Sequence, residues 1–369
     1  MEQRTFSVVI CTYHRPVMLR QAVASALAQD YPADRYEVVV VDNADTEETA
    51  AVVRELARQS PVSLRYEIEP RNGLSYARNR GLAVARFDYV ASLDDDAVAA
   101  PNWLAALNRT AVEHHALVVG GRVDPVPVAG GAFPAWLTER HLAGTYGLRY
   151  RVPEGEHVIE IHWPRYLSGC NNACLRQLLV RFGGYDPRLG RTAASMLAAE
   201  ETYLHLRFER GGVPIFYADD AVVAHTIPVD RLTRRALLRR AGWTGVAYAR
   251  MAALVGEGGW TALARAGLGL FDRRNLDTFW QVYRLVYAAA YSVTTIRLAA
   301  TRAIPASVAD DVWGAEDWLA EVLRWPDGAE KDGRLYALYR DLGDETNAGI
   351  VLSRLVTGLE ATNQSEAAS

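Results

Sequence analysis

The chain has 369 residues, 50% of them hydrophobic, with 40 Lys+Arg against 44 Asp+Glu and a formal net charge of −4. Lys331 is its one lysine, which excludes a lysine-ended phosphate loop and Schiff-base or pyridoxal chemistry at a buried lysine. The near-neutral charge excludes polyelectrolyte-driven nucleic-acid binding, and the three cysteines, Cys11, Cys170 and Cys174, are too few for a disulfide framework and fit a reducing compartment. The sequence opens without an apolar leader, and no apolar run reaches the ~18 residues of a membrane span. The expected location is therefore cytoplasmic.

The first 95 residues alternate between two patterns. Phe6–Cys11 is an apolar run, and Pro16–Gln29 reads as a helix with Leu19, Val23, Ala26 and Leu27 on one side. Glu37–Asp42 reads as a second strand, Thr46–Gln59 as a helix and Leu64–Glu69 as a third strand. Leu74–Ala85 follows as a helix and Asp88–Leu93 as a fourth strand. Strands apolar throughout, separated by amphipathic helices, predict an α/β fold with a mainly parallel sheet covered on both faces. Right-handed crossovers then bring the strand C-termini to one edge, where open sheets of this class bind ligands.

Further on, Pro101–His114 predicts a helix and Ala116–Gly120 a strand, followed by an irregular, Pro-, Gly- and aromatic-rich stretch, Asp124–Tyr166. Gly169–Ala173 opens a second ordered block, which continues with a helix over Ala193–Arg210 and short strands at Pro214–Tyr217 and Ala221–Ala224. From Asp230 the pattern is mainly helical, so the expected division is an α/β domain over 1–230 and a helical region over 231–369 for membrane-surface or oligomer contacts. Arg231, Arg235 and Arg239 are read as one basic helix face, suited to a diphosphate or to lipid headgroups at the inner membrane face. Phe279–Tyr291 and the tryptophans Trp313, Trp318 and Trp325 read as packed helices, the latter against the body or a second subunit of a homo-oligomer.

Asp94, Asp95 and Asp96 stand together at a strand end. Adjacent carboxylates repel, so such a run is solvated, protonated or neutralised by a cation; Mg2+ or Mn2+ takes one or two carboxylates plus substrate phosphates. Four segments then occur in order at strand–helix spacing: Val8–Pro16, Val40–Asn43, Arg71–Gly81 and Tyr89–Asp96. With Gly169–Ala173 and Glu200-Glu201 they closely resemble family 2 glycosyltransferases of the GT-A fold, over roughly residues 6–230.

That resemblance implies an inverting transfer of sugar from a nucleoside-diphosphate sugar, typically a UDP-sugar, to an acceptor that is a saccharide, a lipid-linked molecule or a small natural product. Thr12, Tyr13 and Arg15 would line the nucleotide pocket, Asp42 would meet the base, and Arg78 would face base or phosphate. Asp95 would hold the ribose, Asp94 nucleotide or sugar, and Asp96, with His225, a divalent metal. Asn171 would read a sugar hydroxyl, and Trp163 would stack on sugar or acceptor. The family usually has Glu-Asp where this chain has Glu200-Glu201, and the second acid deprotonates the acceptor. At 100° per residue Glu201 falls near a Leu197–Leu204–Phe208 stripe and Glu200 to its other side, so Glu201 is expected to be the partly buried base, with Glu200 the other acid of the catalytic pair. The rival reading is a nucleotide-sugar-binding protein without turnover.

Overall fold

The computed structural model describes residues 2–255, apart from 129–130, 139–140 and 143–144, and residues 286, 287, 290, 291 and 294. The strands β1 (Phe6–Thr12), β2 (Tyr36–Asp42), β3 (Ser63–Ile68) and β4 (Tyr89–Asp94) pair in parallel, β1 lying between β2 and β4. β2 is buried along its whole length and β1 at all but Cys11, as expected of strands covered on both faces. Helices α1 (Pro16–Leu27), α2 (Glu47–Ala57) and α3 (Leu74–Val84) make the crossovers. Pro16 opens α1, where a missing N–H has no consequence. Thr46 caps α2, with Glu47 and Glu48 at its positive end. α3 approaches β1 so closely that a Cβ on Gly81 would stand 2.3 Å from Cγ1 of Val9.

Beyond β4 the sheet is mixed. In chain order follow β5 (Ala97–Ala99), α4 (Trp103–Glu113), β6 (Val118–Pro127), β7 (Val158–Ile161), β8 (Asn172–Leu175), α5 (Arg176–Arg181), α6 (Glu200–Arg210) and β9 (Ile215–Ile227). A 3-10 turn (Val229–Leu232) then leads into α7 (Arg234–Leu254). The sheet runs β3-β2-β1-β4-β8-β6-β9-β5, with β7 added to β9. β8 pairs antiparallel with β4 and β6, β6 pairs parallel with β9, and β5 and β7 pair antiparallel with β9. The α/β class and the first four strands are as expected.

Several expectations need correction. The two short strands read around 214–224 are one strand of 13 residues, kept continuous by an irregularity opposite Gly121–Val123 in β6. α6 starts at Glu200 rather than Ala193, because Thr192 and Ser195 bond each other across a small turn. Leu197 is therefore off the helix, and the stripe drawn through it does not exist. Arg231 sits in the 3-10 turn and not on α7, so it shares no helix face with the exposed Arg235 and Arg239. Most of Phe279–Tyr291, and Trp313, Trp318, Trp325 and Lys331, lie outside the described residues. Among the described residues no helix is long and apolar enough to cross a membrane.

Candidate active site

A cavity of about 330 Å³ opens over the C-terminal ends of β1 and β4. Its wall takes Thr12, Tyr13 and Arg15 from the end of β1 and the turn after it, Asp94–Asp96 from β4, and Glu200 and Glu201 from the start of α6. His225 comes from β9, Arg231 from the 3-10 turn, and Arg240, Thr244 and Tyr248 from α7.

Pairing in the sheet sets the acidic run. Ala97 is opposite His225 across β5 and β9, and Thr226 N–H donates to the Asp96 carbonyl at 2.8 Å. This leaves His225 Nε2 3.4 Å from Asp96 Oδ1. The other ring nitrogen of His225, Nδ1, lies 2.9 Å from the Tyr146 carbonyl, to which it can only donate. Asp96 also meets Arg15 at 2.9 Å and Arg231 at 3.4 Å. Burial opposes its charge, but the His225 bond and these cations outweigh burial and hold the Asp96 carboxyl well below the usual range. Asp95 accepts from Thr12 Oγ1 at 2.8 Å and from Arg15 at 3.1 Å. Burial, with Asp96 beside it, nevertheless pushes Asp95 up to about 6.

A second centre is built on Arg78 of α3, which is 5% exposed. Its guanidinium donates to Glu200 at 2.7 Å and to Asp94 and the Gly169 carbonyl at 3.3 Å, and lies 3.7 Å from Glu201 Oε2. Gly169 is required here: a Cβ would lie 2.5 Å from Nη2 of Arg78. One cation thus serves three carboxylates. Burial first, and the Glu201 charge second, push Glu200 up to about 8, while Arg78 pulls the other way.

Both glutamates are withdrawn from solvent, Glu200 further than Glu201. Glu200 is the enclosed one, with a side chain 1% exposed against 16% for Glu201. The reason is the late helix start: Glu200 begins α6 beneath the turn and folds its carboxylate back onto Arg78 and the Ala199 N–H. Glu201 Oε2 is buried at the cavity wall without a hydrogen-bond partner, its nearest cation being Arg78 at 3.7 Å.

Three residues expected at the site do not line the cavity. Asp42 is fully buried, and its oxygens accept from the N–H groups of Ala44 and Thr46 and from the Tyr66 hydroxyl; it shapes the turn that carries Asn43, which does line the cavity. Asn171 is also fully buried, accepting from the Trp103 indole at 2.8 Å and donating to the Arg122 and Ala221 carbonyls. Trp163 lies off the cavity wall, its ring 6.2 Å from that of Tyr248. Cys170 is enclosed and burial raises its thiol pKa, as suits packing rather than nucleophilic chemistry. The wall also holds Asn72, Tyr166, Arg191 and Arg240, which the sequence reading passed over. For α7 a signal was present: Arg240, Thr244 and Tyr248 recur every fourth residue.

Among the described residues no cluster of three or more His, Cys, Asp or Glu is arranged to hold a metal ion. The donor chemistry still fits a divalent cation that draws most of its shell from phosphate and water: one carboxylate, Asp96, and one imidazole nitrogen, His225 Nε2, whose tautomer is fixed by the carbonyl of Tyr146.

The family model for glycosyl transferase family 2 matches residues 7–168. A glucosyl-dolichyl phosphate glucuronosyltransferase of Haloferax volcanii is 33% identical over 248 residues, spanning 65% of this chain and 74% of that protein. The succinoglycan biosynthesis protein ExoM of Rhizobium meliloti is 27% identical over 245 residues, 66% of this chain and 74% of its own. In fold the chain is similar to a mannosyltransferase from Pyrobaculum calidifontis, solved with GDP-Man and Mn2+: TM-score 0.51 at 20% identity, covering 96% of this chain and 88% of that one.

Proposed function

Since the chain belongs to glycosyl transferase family 2 and has the GT-A fold, we propose that this transferase moves a sugar from a nucleoside-diphosphate sugar, a UDP-sugar in the first instance, to an acceptor hydroxyl with inversion at the anomeric carbon. The observation that carries this reading is the presence, on the wall of one cavity, of a cation-held Asp96 and a Glu201 oxygen that makes no hydrogen bond. Glu201 accepts the hydroxyl proton as the acceptor oxygen attacks, and the nucleoside diphosphate departs on the opposite side.

Thr12, Tyr13, Arg15 and Asn43 form the nucleotide wall. Asp96 and His225 are the residues that would hold Mn2+ or Mg2+, which supplies positive charge to the leaving diphosphate. Arg15 and Arg231, now on Asp96, are positioned to share that anion. Arg78, also at the cavity wall, holds Glu200 and Asp94 in place beneath the donor. A cytoplasmic location, with peripheral contact at the inner membrane face through Arg235 and Arg239, completes the proposal.

The test is thermal stabilisation by UDP-, GDP- and dTDP-sugars with and without Mn2+, followed by product analysis. Asp96→Ala should abolish the metal-dependent shift. Glu201→Gln should keep donor binding within a few fold and lower transfer by about 10²–10⁴-fold, the usual contribution of a general base. Stabilisation of the wild type by no nucleotide sugar would overturn the donor assignment, and full transfer by Glu201→Gln would overturn the base.

A further inference from the structure

The cavity wall contains more arginine than its acids use. Arg15, Arg78 and Arg231 each lie within 3.4 Å of a carboxylate oxygen. Arg191 and Arg240 line the same cavity, and neither has a carboxylate within ion-pair distance among the described residues. The two guanidiniums and Arg231 are close enough to repel: burial, then the charges of Arg231 and Arg240, lower the pKa of Arg191, with Asp94 and Glu200 opposing.

Both positions are built into the frame. The Arg191 carbonyl accepts the first N–H of α3, from Leu74, at 2.8 Å. Leu189, two residues before it, packs with Tyr203, Leu206 and Met251, joining its loop to α6 and α7. The Arg240 guanidinium lies 5.2 Å from the centre of the Tyr146 ring, a contact that leaves its N–H edge free. Like charges converging at a partly enclosed wall are unfavourable unless an anion joins them.

We propose that Arg191 and Arg240 form a second oxyanion subsite, which takes a phosphate carried by the acceptor; this rests on the transferase reading above. Three observations select that ligand. A carboxylate is satisfied by a single guanidinium fork, whereas two converging guanidiniums match the three oxygens and near-double charge of a phosphate. The donor diphosphate already has Asp96, His225, Arg15 and Arg231. Arg191 instead stands in the loop that leads into Glu201, and Arg240 begins a wall that continues through Thr244 to Tyr248, about 12 Å along α7. An acceptor anchored there by its phosphate has room to bring a hydroxyl to Glu201.

The experiment uses the full chain and measures binding by titration calorimetry. Farnesyl phosphate and glucose 6-phosphate are the acceptor-side probes, farnesol and inorganic phosphate their comparisons, and UDP and GDP with Mn2+ the donor-side probes. The wild type should bind at least one phosphate ester more tightly than farnesol, and which ester binds tells a lipid from a sugar phosphate. The double variant Arg191→Gln/Arg240→Gln should weaken that binding at least tenfold while nucleotide affinity changes less than threefold. Arg191→Lys/Arg240→Lys, which keeps both charges, should stay within threefold of wild type. A parallel loss of nucleotide affinity would assign the pair to the donor and overturn the proposal, as would unchanged ester binding in the Gln pair or equal loss in both pairs. Failure of the transferase reading registers separately, as a wild type that binds no nucleotide while its ester binding still depends on the arginines.

Discussion

Arg78 and the acids around it form a buried charge network at the cavity wall. Removing its guanidinium would take the shared cation from Glu200, Asp94 and Glu201 and should lower stability. The same group dictates a pH effect. Glu200 is raised from its ordinary 4.5 to about 8, by burial first and Glu201 second. Between these values the folded chain keeps a proton that the unfolded chain has released, so this carboxyl's contribution to stability falls as pH rises from about 4.5 to about 8. Glu200→Gln should therefore flatten the pH dependence of the unfolding free energy across that window, as read from urea titrations. Slopes parallel to wild type would refute the assignment. Glu201, one residue later, was legible as an acid in the right motif. Its relation to Glu200 was not, because which of two adjacent side chains turns inward depends on where the helix begins.

At the scale of elements, the joint between β6 and β9 is the most demanding. A Cβ on Gly121 would lie 2.0 Å from the Ala221 carbonyl, backbone that cannot step aside. Gly121→Ala should lower stability by about 1–3 kcal/mol, in line with overpacked cores. Gly242 in α7 is the control, its nearest neighbour 3.7 Å away at Val286, and Gly242→Ala should be neutral or stabilising by up to about 1 kcal/mol. Equal effects of the two substitutions in denaturant unfolding would contradict the packing argument. The elements legible in the sequence were those with a strong period: β1 to β4 and α1 to α4 all lie within a few residues of expectation. β5, β7 and β8 are three or four residues long and owe their existence to pairing with β9, β6 or β4, which no local pattern encodes. Asn171 and Asp42 misled for a related reason. Polar residues at strand ends suggest a ligand, yet here they satisfy buried backbone groups and an indole.

For the whole molecule, the expected boundary at residue 230 does not separate the site. Arg231, Arg240, Thr244 and Tyr248 complete a cavity whose other walls precede residue 230. α7 also covers apolar surface, Leu237 packing with Leu142, Tyr146 and Ile227, and Ala247 with Leu197 and Ala199. A chain ended after Asp230 should lose that cover and be recovered in the insoluble fraction, without nucleotide-dependent stabilisation. A soluble fragment that still binds nucleotide would show that the first part stands alone. The composition also reads differently with the cavity in view. Five arginines sit in its wall, three of them committed to its acids, so a chain with one lysine assigns its phosphate chemistry to guanidinium forks.

The pairing of Ala97 with His225 has one more consequence. Asp96 and His225 are far apart along the chain, but their spacing is measured across two neighbouring strands, as with a caliper. Tyr146, from the stretch between them, adds a stop on the far side of the imidazole. A slip of one residue between β5 and β9 would instead turn His225 to the opposite face of the sheet. Strand register therefore sets the Asp96–His225 gap, and one carbonyl from the segment after β6 sets which imidazole nitrogen faces the carboxylate.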